Sequence, residues 1–173
     1  MKNQLQLLIP LLVLSYVSGI NLDFLNSRII NTTNPTIRLA LGSCHDSSRL
    51  KNDSVIFKSI RDLKPDLFIW LGDAVYLDRG LEKRWNWKTL SYDRIERGVQ
   101  EKRKIFDKTK KEDREYLKMR ESVPIIGVWD DHDFGMDNSG KDYVNKDVGK
   151  TMFLDFLDEP INSARRNTHD GTY

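Results

Sequence analysis

Leu67 to Leu71 (Leu-Phe-Ile-Trp-Leu) is an unbroken apolar run, with Pro65 in front of it and Gly72-Asp73 behind it. A short apolar run without polar alternation reads as a strand buried on both faces, as in a parallel sheet covered by helices. Two other segments repeat the pattern. Ile37-Arg38-Leu39-Ala40-Leu41 runs into Gly42-Ser43-Cys44-His45-Asp46, and Ile125-Ile126-Gly127-Val128 runs into Trp129-Asp130-Asp131-His132-Asp133. Strands that each finish in a polar loop, with helical stretches between them, predict an α/β fold. In an open α/β sheet, ligands bind outside the carboxyl ends of the strands. Those ends carry Cys44, Asp73 with Tyr76, and Asp131 with His132. Carboxylates crowded at one point repel, so the site is expected to hold a cation; carboxylate oxygen and imidazole nitrogen are the usual protein ligands of metals. The competing reading of Asp130 to Asp133 is a surface turn, because aspartate bonds its own backbone in loops.

Between the strands, Val55, Ile56, Ser59, Ile60 and Leu63 recur at spacings of three and four, which predicts a helix with these residues on its buried face. Asn52 or Asp53 would cap it and Pro65 would stop it. From Arg79 to Gln100 no period is visible. Trp85 and Trp87 there read as a surface loop packing on the body, with a substrate-pocket wall as the alternative. Glu101 to Glu121 reads as a solvated helix laced with charge pairs, its apolar points being Ile105, Phe106, Tyr116, Leu117 and Met119. Met136 to Gly140 is a polar loop that offers Asp137 and Asn138 as further ligands. Lys146 to Leu157 is a helix with Val148, Met152, Phe153 and Phe156 inward.

The N-terminus has the layout of a secretory signal peptide over residues 1–19: Lys2, an apolar stretch from Leu5 to Val17, then small residues in Val17-Ser18-Gly19. The apolar stretch is shorter than the roughly 20 residues of a membrane-spanning helix. Secretion or residence in the secretory pathway is therefore expected, with no stable membrane insertion after cleavage. Asn31 and Asn52 begin glycosylation triplets. A lead-in over residues 20–36 precedes the body of the domain at 37–173, and 173 residues suffice for one domain with a proper core. Charged residues make up 31% of the chain but the net charge is only +2, so no nucleic-acid partner is expected. Cys44 is the lone cysteine, so no disulfide framework exists. It reads as a small buried hydrophobe, a reactive thiol or a metal ligand.

Leu41-Gly42-Ser43-Cys44, Pro65-Asp66-Leu67-Phe68-Ile69-Trp70-Leu71-Gly72-Asp73-Ala74-Val75-Tyr76 and Trp129-Asp130-Asp131-His132-Asp133-Phe134-Gly135 together resemble the signatures of PhoD-like (alkaline phosphatase D-type) metallophosphatases. These belong to the calcineurin-like metallophosphoesterases. The resemblance implies layered sheets flanked by helices, with metal ions at the strand ends. It makes Cys44 a thiolate ligand of iron, Asp73 a carboxylate bridging two metal sites, Tyr76 a phenolate ligand, and Asp131 a further metal ligand. His132 would contact the phosphate and help the leaving group. Iron (Fe3+) and calcium are the implied cofactors, and a phosphate ester attacked by metal-activated hydroxide is the implied substrate. Family members supply further His and Asp ligands from later motifs that are absent here. The expected fold is thus the N-terminal part of the family's domain, incomplete at the C-terminus. The alternative is a catalytically inactive fragment or paralogue that at most binds metal or phosphate.

Overall fold

The computed structural model describes residues 37–47, 55–168 and 171–172. The signal peptide, both glycosylation triplets and the cap at Asn52 or Asp53 lie outside the described residues. Strands β1 (Leu39–Gly42), β2 (Leu67–Leu71) and β5 (Ile125–Val128) form a parallel sheet in the order β1-β2-β5. The register sets Gly42 beside Trp70 and Trp70 beside Gly127. Helix α1 (Val55–Asp62) connects β1 to β2. Between β2 and β5 lie an antiparallel hairpin, β3 (Lys83–Asn86) with β4 (Ser91–Arg94), and helices α2 (Val99–Glu112) and α3 (Arg114–Ser122). After β5 come the short helix α4 (Asp131–Phe134), helix α5 (Lys146–Phe156) and a 3-10 turn at Ala164–Arg166. This is an α/β fold, with a parallel sheet flanked by helices.

One face of the sheet makes the core. Phe68 and Trp70 of β2 pack with Phe57 of α1, Tyr116 and Met119 of α3, and Phe153 and Phe156 of α5. Trp70 Nε1 donates a hydrogen bond to the Tyr116 hydroxyl at 3.0 Å, so the buried indole N–H is satisfied. Tyr116 stacks on Phe156 with a 5.8 Å centroid separation. Burying each of these rings contributes roughly 1.5–3 kcal/mol. Gly149 permits α5 to cross α4 closely, because a Cβ there would lie 2.6 Å from Phe134 Cβ. Arg165 anchors the end of the described chain to β5: its Nε donates to Thr172 O at 2.8 Å and its Nη2 to Gly127 O at 2.5 Å.

Several local expectations are corrected. Helix α1 forms, but only part of its stripe faces inward: Ile60 packs against the core, Val55, Ile56 and Leu63 are exposed, and Phe57 is the residue it buries. The helix docks sideways on α3, with the Phe57 and Tyr116 rings 4.8 Å apart and Arg61 paired to Glu115 at 2.7 Å. The charged stretch is two helices, broken at Asp113, whose side chain accepts N–H bonds from Glu115 and Tyr116 and so caps α3. Trp87 is 82% exposed on the hairpin and does not pack on the body. Asp130 to Asp133 is the start of a helix, not a loop.

Candidate active site

Backbone geometry brings three strand ends together. Gly72, at φ +97, lets β2 turn directly against the start of α4; a Cβ there would sit 2.6 Å from Asp130 Cβ. Next to it Asp73 has φ 52, and Cys44, at the corresponding end of β1, has φ 56. Both are non-glycine residues in the left-handed region, which costs about 1–2 kcal/mol for an ordinary L-residue. Outliers of this sort gather at functional sites, where surrounding structure holds them. The turns are also joined to one another: His45 N donates to Asp73 O at 2.8 Å, and Leu77 N to His132 O at 3.0 Å.

The carboxylates after β5 divide into two roles. Asp130 is the N-cap of α4 and forms a capping box with Asp133. Asp133 is wholly buried and accepts hydrogen bonds from Val75 N at 2.8 Å and Asp130 N at 3.0 Å, fastening the β2 loop to the α4 start. Burial pushes its carboxyl up to about 8. Asp131 and His132 are the members that meet Asp73. One ligand atom from each of Asp73, Asp131 and His132 lies within 4.8 Å of the others.

Asp73 sits between two groups of candidate ligands. Its Oδ2 accepts a hydrogen bond from the Tyr76 hydroxyl at 3.3 Å and lies 3.7 Å from Cys44 Sγ. Its Oδ1 is buried with no hydrogen-bond partner. Burial raises the Asp73 carboxyl above its ordinary value; His132 opposes that shift, and Asp131 and Asp130 add to it. Burial, followed by the charges of Asp73 and Cys44, also drives the Tyr76 phenol well above its ordinary value. A buried acceptor without a donor, in a cluster that resists further negative charge, is the environment a cation relieves. Carboxylate and imidazole on one side, with thiol and phenol on the other, therefore fit metal ions. Cys44 is exposed and lies in this cluster, so it is not a small core hydrophobe.

His132 is held from behind by Asp78, a residue that sequence reasoning left without a role. Asp78 Oδ1 lies 2.7 Å from His132 Nδ1, across 54 positions of sequence, and Asp78 Oδ2 accepts from Asp137 N at 3.1 Å. The only sequence signal was its membership in the polar run after β2. Tyr76 lies over the imidazole at a 4.2 Å centroid distance, and the Arg79 guanidinium sits 4.7 Å from the Tyr76 ring. Asp137 Oδ1 is 3.7 Å from His132 Nε2. Asn138 enters through its backbone, donating N–H to Asp131 Oδ2. His45 turns away from the cluster. Its Nδ1 lies 3.3 Å from Ala74 O, its ring packs on Phe57 and Trp70, and burial lowers its pKa, favouring the neutral ring.

Comparison with known protein families bears directly on this arrangement. The PhoD-like phosphatase family model matches residues 39–159. The chain belongs to this family. No curated protein and no solved structure matches it. The matched segment of this PhoD-like phosphatase spans the sheet, the hairpin and α1 to α5. It contains Cys44, Asp73, Tyr76, Asp131 and His132. Membership places the chain among phosphoric ester hydrolases, and the Asp73–Asp131–His132 cluster is a group of side chains that could hold a metal ion.

Proposed function

We propose that this PhoD-like phosphatase hydrolyses phosphomonoesters or phosphodiesters where Asp73, Asp131 and His132 converge. The observation that carries the reading is Asp73 Oδ1, buried and unpartnered among the ligand atoms of the cluster. Cys44, Asp73, Tyr76 and Asp131 would hold the metal ions. A thiolate and a phenolate suit ferric iron, while carboxylates suit calcium. Metal ions bound there would supply a Lewis acid and lower the pKa of the attacking water. The protein's own contribution is positional. Asp73 reaches both ligand groups and is kept in its left-handed turn by Gly72 and the His45–Asp73 backbone bond. Asp78 engages His132 Nδ1, which orients the ring so that Nε2 serves as the proton donor to the leaving oxygen.

The reading includes export. Lys2, the apolar Leu5 to Val17 stretch and Val17-Ser18-Gly19 support a signal peptide over residues 1–19, followed by a lead-in at 20–36 and the phosphatase domain from 37. Among the described residues no helix is long and apolar enough to cross a membrane.

The test is bound metal together with turnover. The purified full chain should carry iron and calcium in stoichiometric amounts and release phosphate or alcohol from a generic monoester or diester. Asp73→Ala should lose both properties. Turnover that survives Asp73→Ala would refute the assignment. A second reading, a metal-binding protein without turnover, draws on His45. With its ring in the aromatic core, His132 is the one histidine at the cluster among the described residues. Stoichiometric metal with no hydrolysis of either ester would establish that reading.

A further inference from the structure

Between α1 and the end of β1 lies a cavity of about 440 Å3 whose walls are of two kinds. On one side Leu41 of β1 and Ile56, Phe57 and Ile60 of α1 supply apolar surface, to which Phe68 and Trp70 of β2 add their rings. Ile56 and Ile60 are four residues apart and so share a side of the helix. Ile60 packs against the core, but Ile56 is 63% exposed. An isoleucine at the wall of a cavity gains its burial energy only when something apolar enters. Small-molecule sites commonly have about 300–1,000 Å3 of apolar space with a few placed polar groups, and this cavity matches that description.

The other side of the cavity belongs to the candidate active site. Cys44, Tyr76 and Arg79 line it. Cys44 Sγ lies 3.7 Å from Asp73 Oδ2, and the Tyr76 hydroxyl donates to the same oxygen at 3.3 Å. The cavity and the Asp73 cluster therefore share the thiol and the phenol as walls. Arg79 adds a cation there: its Nε lies 3.0 Å from Asp46 Oδ2, and its guanidinium 4.7 Å from the Tyr76 ring. A ligand that is anionic at one end and apolar at the other suits this sequence of surfaces.

We propose that this cavity receives the organic group of the phosphate ester, so that the site prefers esters of apolar alcohols. The proposal rests on the phosphatase reading above and adds to it the class of substrate. With its phosphorus group at the Asp73 cluster, the ester extends its alcohol past Cys44 and Tyr76 and lays it against Ile56 and Ile60. Ethyl, butyl and hexyl phosphate have leaving alcohols of nearly equal acidity, so differences in kcat/KM among them report burial of the chain. Each methylene withdrawn from water strengthens binding roughly fourfold. From ethyl to hexyl phosphate, kcat/KM should rise about tenfold or more. Ethylphosphonate and hexylphosphonate have carbon joined directly to phosphorus and are not hydrolysed, so titration calorimetry with the full chain reads binding without turnover. The hexyl compound should bind about tenfold or more tightly, with the more negative heat-capacity change of apolar burial. Ile56→Ser, which removes part of the wall, and Ile56→Trp, which fills the space, should each lower both ratios about threefold or more. Val55→Ser, 72% exposed and outside the cavity wall, should leave them unchanged.

Failure of the two readings looks different. Hydrolysis of all three esters with equal kcat/KM, and equal binding of the two phosphonates, would retain the phosphatase and overturn the cavity's role. Phosphonate binding that favours hexyl and responds to the Ile56 variants, without hydrolysis of any ester, would retain the cavity as an apolar subsite and remove the phosphatase activity. Neither binding nor hydrolysis would overturn both. A chain-length preference kept in both Ile56 variants but lost in Leu71→Gln would move the apolar group to the exposed face of the sheet and overturn the proposal.

Discussion

The Asp133 carboxylate accepts N–H bonds from Val75 and Asp130 inside the protein, while the neighbouring Asp131 reaches toward Asp73. Two residues of the same type, two positions apart, therefore differ in what their loss would do. Asp133→Ala leaves the buried Val75 N–H and the part-buried Asp130 N–H unpaired, the buried donor alone costing about 1–3 kcal/mol. Urea unfolding should show a loss in that range for one donor at least, together with lowered activity. Asp131→Ala should leave the urea midpoint nearly unchanged and abolish stoichiometric metal. Equal destabilisation by the two substitutions would contradict this division. Asp78 makes the third case, a positioning residue behind His132. Asp78→Asn should lower kcat about 10- to 100-fold, as loss of an orienting carboxylate commonly does, with metal content retained and KM little changed. An unchanged kcat would mean that the ring needs no such support. The composition of the stretch announced chemistry, but it could not separate these roles. They depend on which way α4 turns and on partners far away in the chain.

Helices α2 and α3 show how elements depend on single caps. The two are consecutive and are broken at Asp113, whose carboxylate caps α3. Asp113→Ala should cost about 1 kcal/mol in denaturant unfolding, the usual loss for an N-cap. Beneath the hairpin, Lys102 is buried and engages both Glu96 and the Tyr143 hydroxyl, linking the start of α2 to the segment before α5. Burial pushes the Glu96 carboxyl up, but hydrogen bonds from Lys102 and Tyr143 outweigh it and hold the group below its ordinary 4.5. A depressed carboxylate pKa contributes stability that is complete above the unfolded value and fades as pH falls through the lower folded value. The Tm advantage of the native chain over Glu96→Gln should therefore be present at neutral pH and shrink once the pH drops below about 4.5. An advantage that grows toward acid would reverse the sign of this coupling. The periodicity of α1 was legible but its inward face was not. A helical stripe reports that apolar residues share a side, whereas Phe57 was chosen by the aromatic pocket formed by Phe68, Trp70 and Tyr116.

At the scale of the whole molecule, the described residues cover the sheet unevenly. Phe68 and Trp70 lie on the helix-covered face, but Leu39, Leu41, Leu71 and Val128 on the other side are 52%, 58%, 52% and 42% exposed. An apolar sheet face of this kind promotes association, particularly beside an edge strand such as β1. Replacing Leu41 and Leu71 together with Gln should reduce self-association of the purified chain, seen as a smaller weight-average mass by light scattering. An unchanged mass distribution would show that this face does not drive association.

The sequence alone determined the parallel strands and the placing of Cys44, Asp73 and Asp131 at their ends. Continuous apolar runs and their polar terminations are local properties of the chain. It also determined the existence of α1 and α5, through helical spacing. Tertiary structure alone decided that His45 belongs to the core, that Asp78 stands behind His132, and that Asp133 stitches two loops together. It also decided that the tryptophans of the hairpin face outward. These outcomes depend on which groups lie opposite one another after strands distant in sequence are laid side by side. Residue spacing carries no information about that until the sheet is assembled.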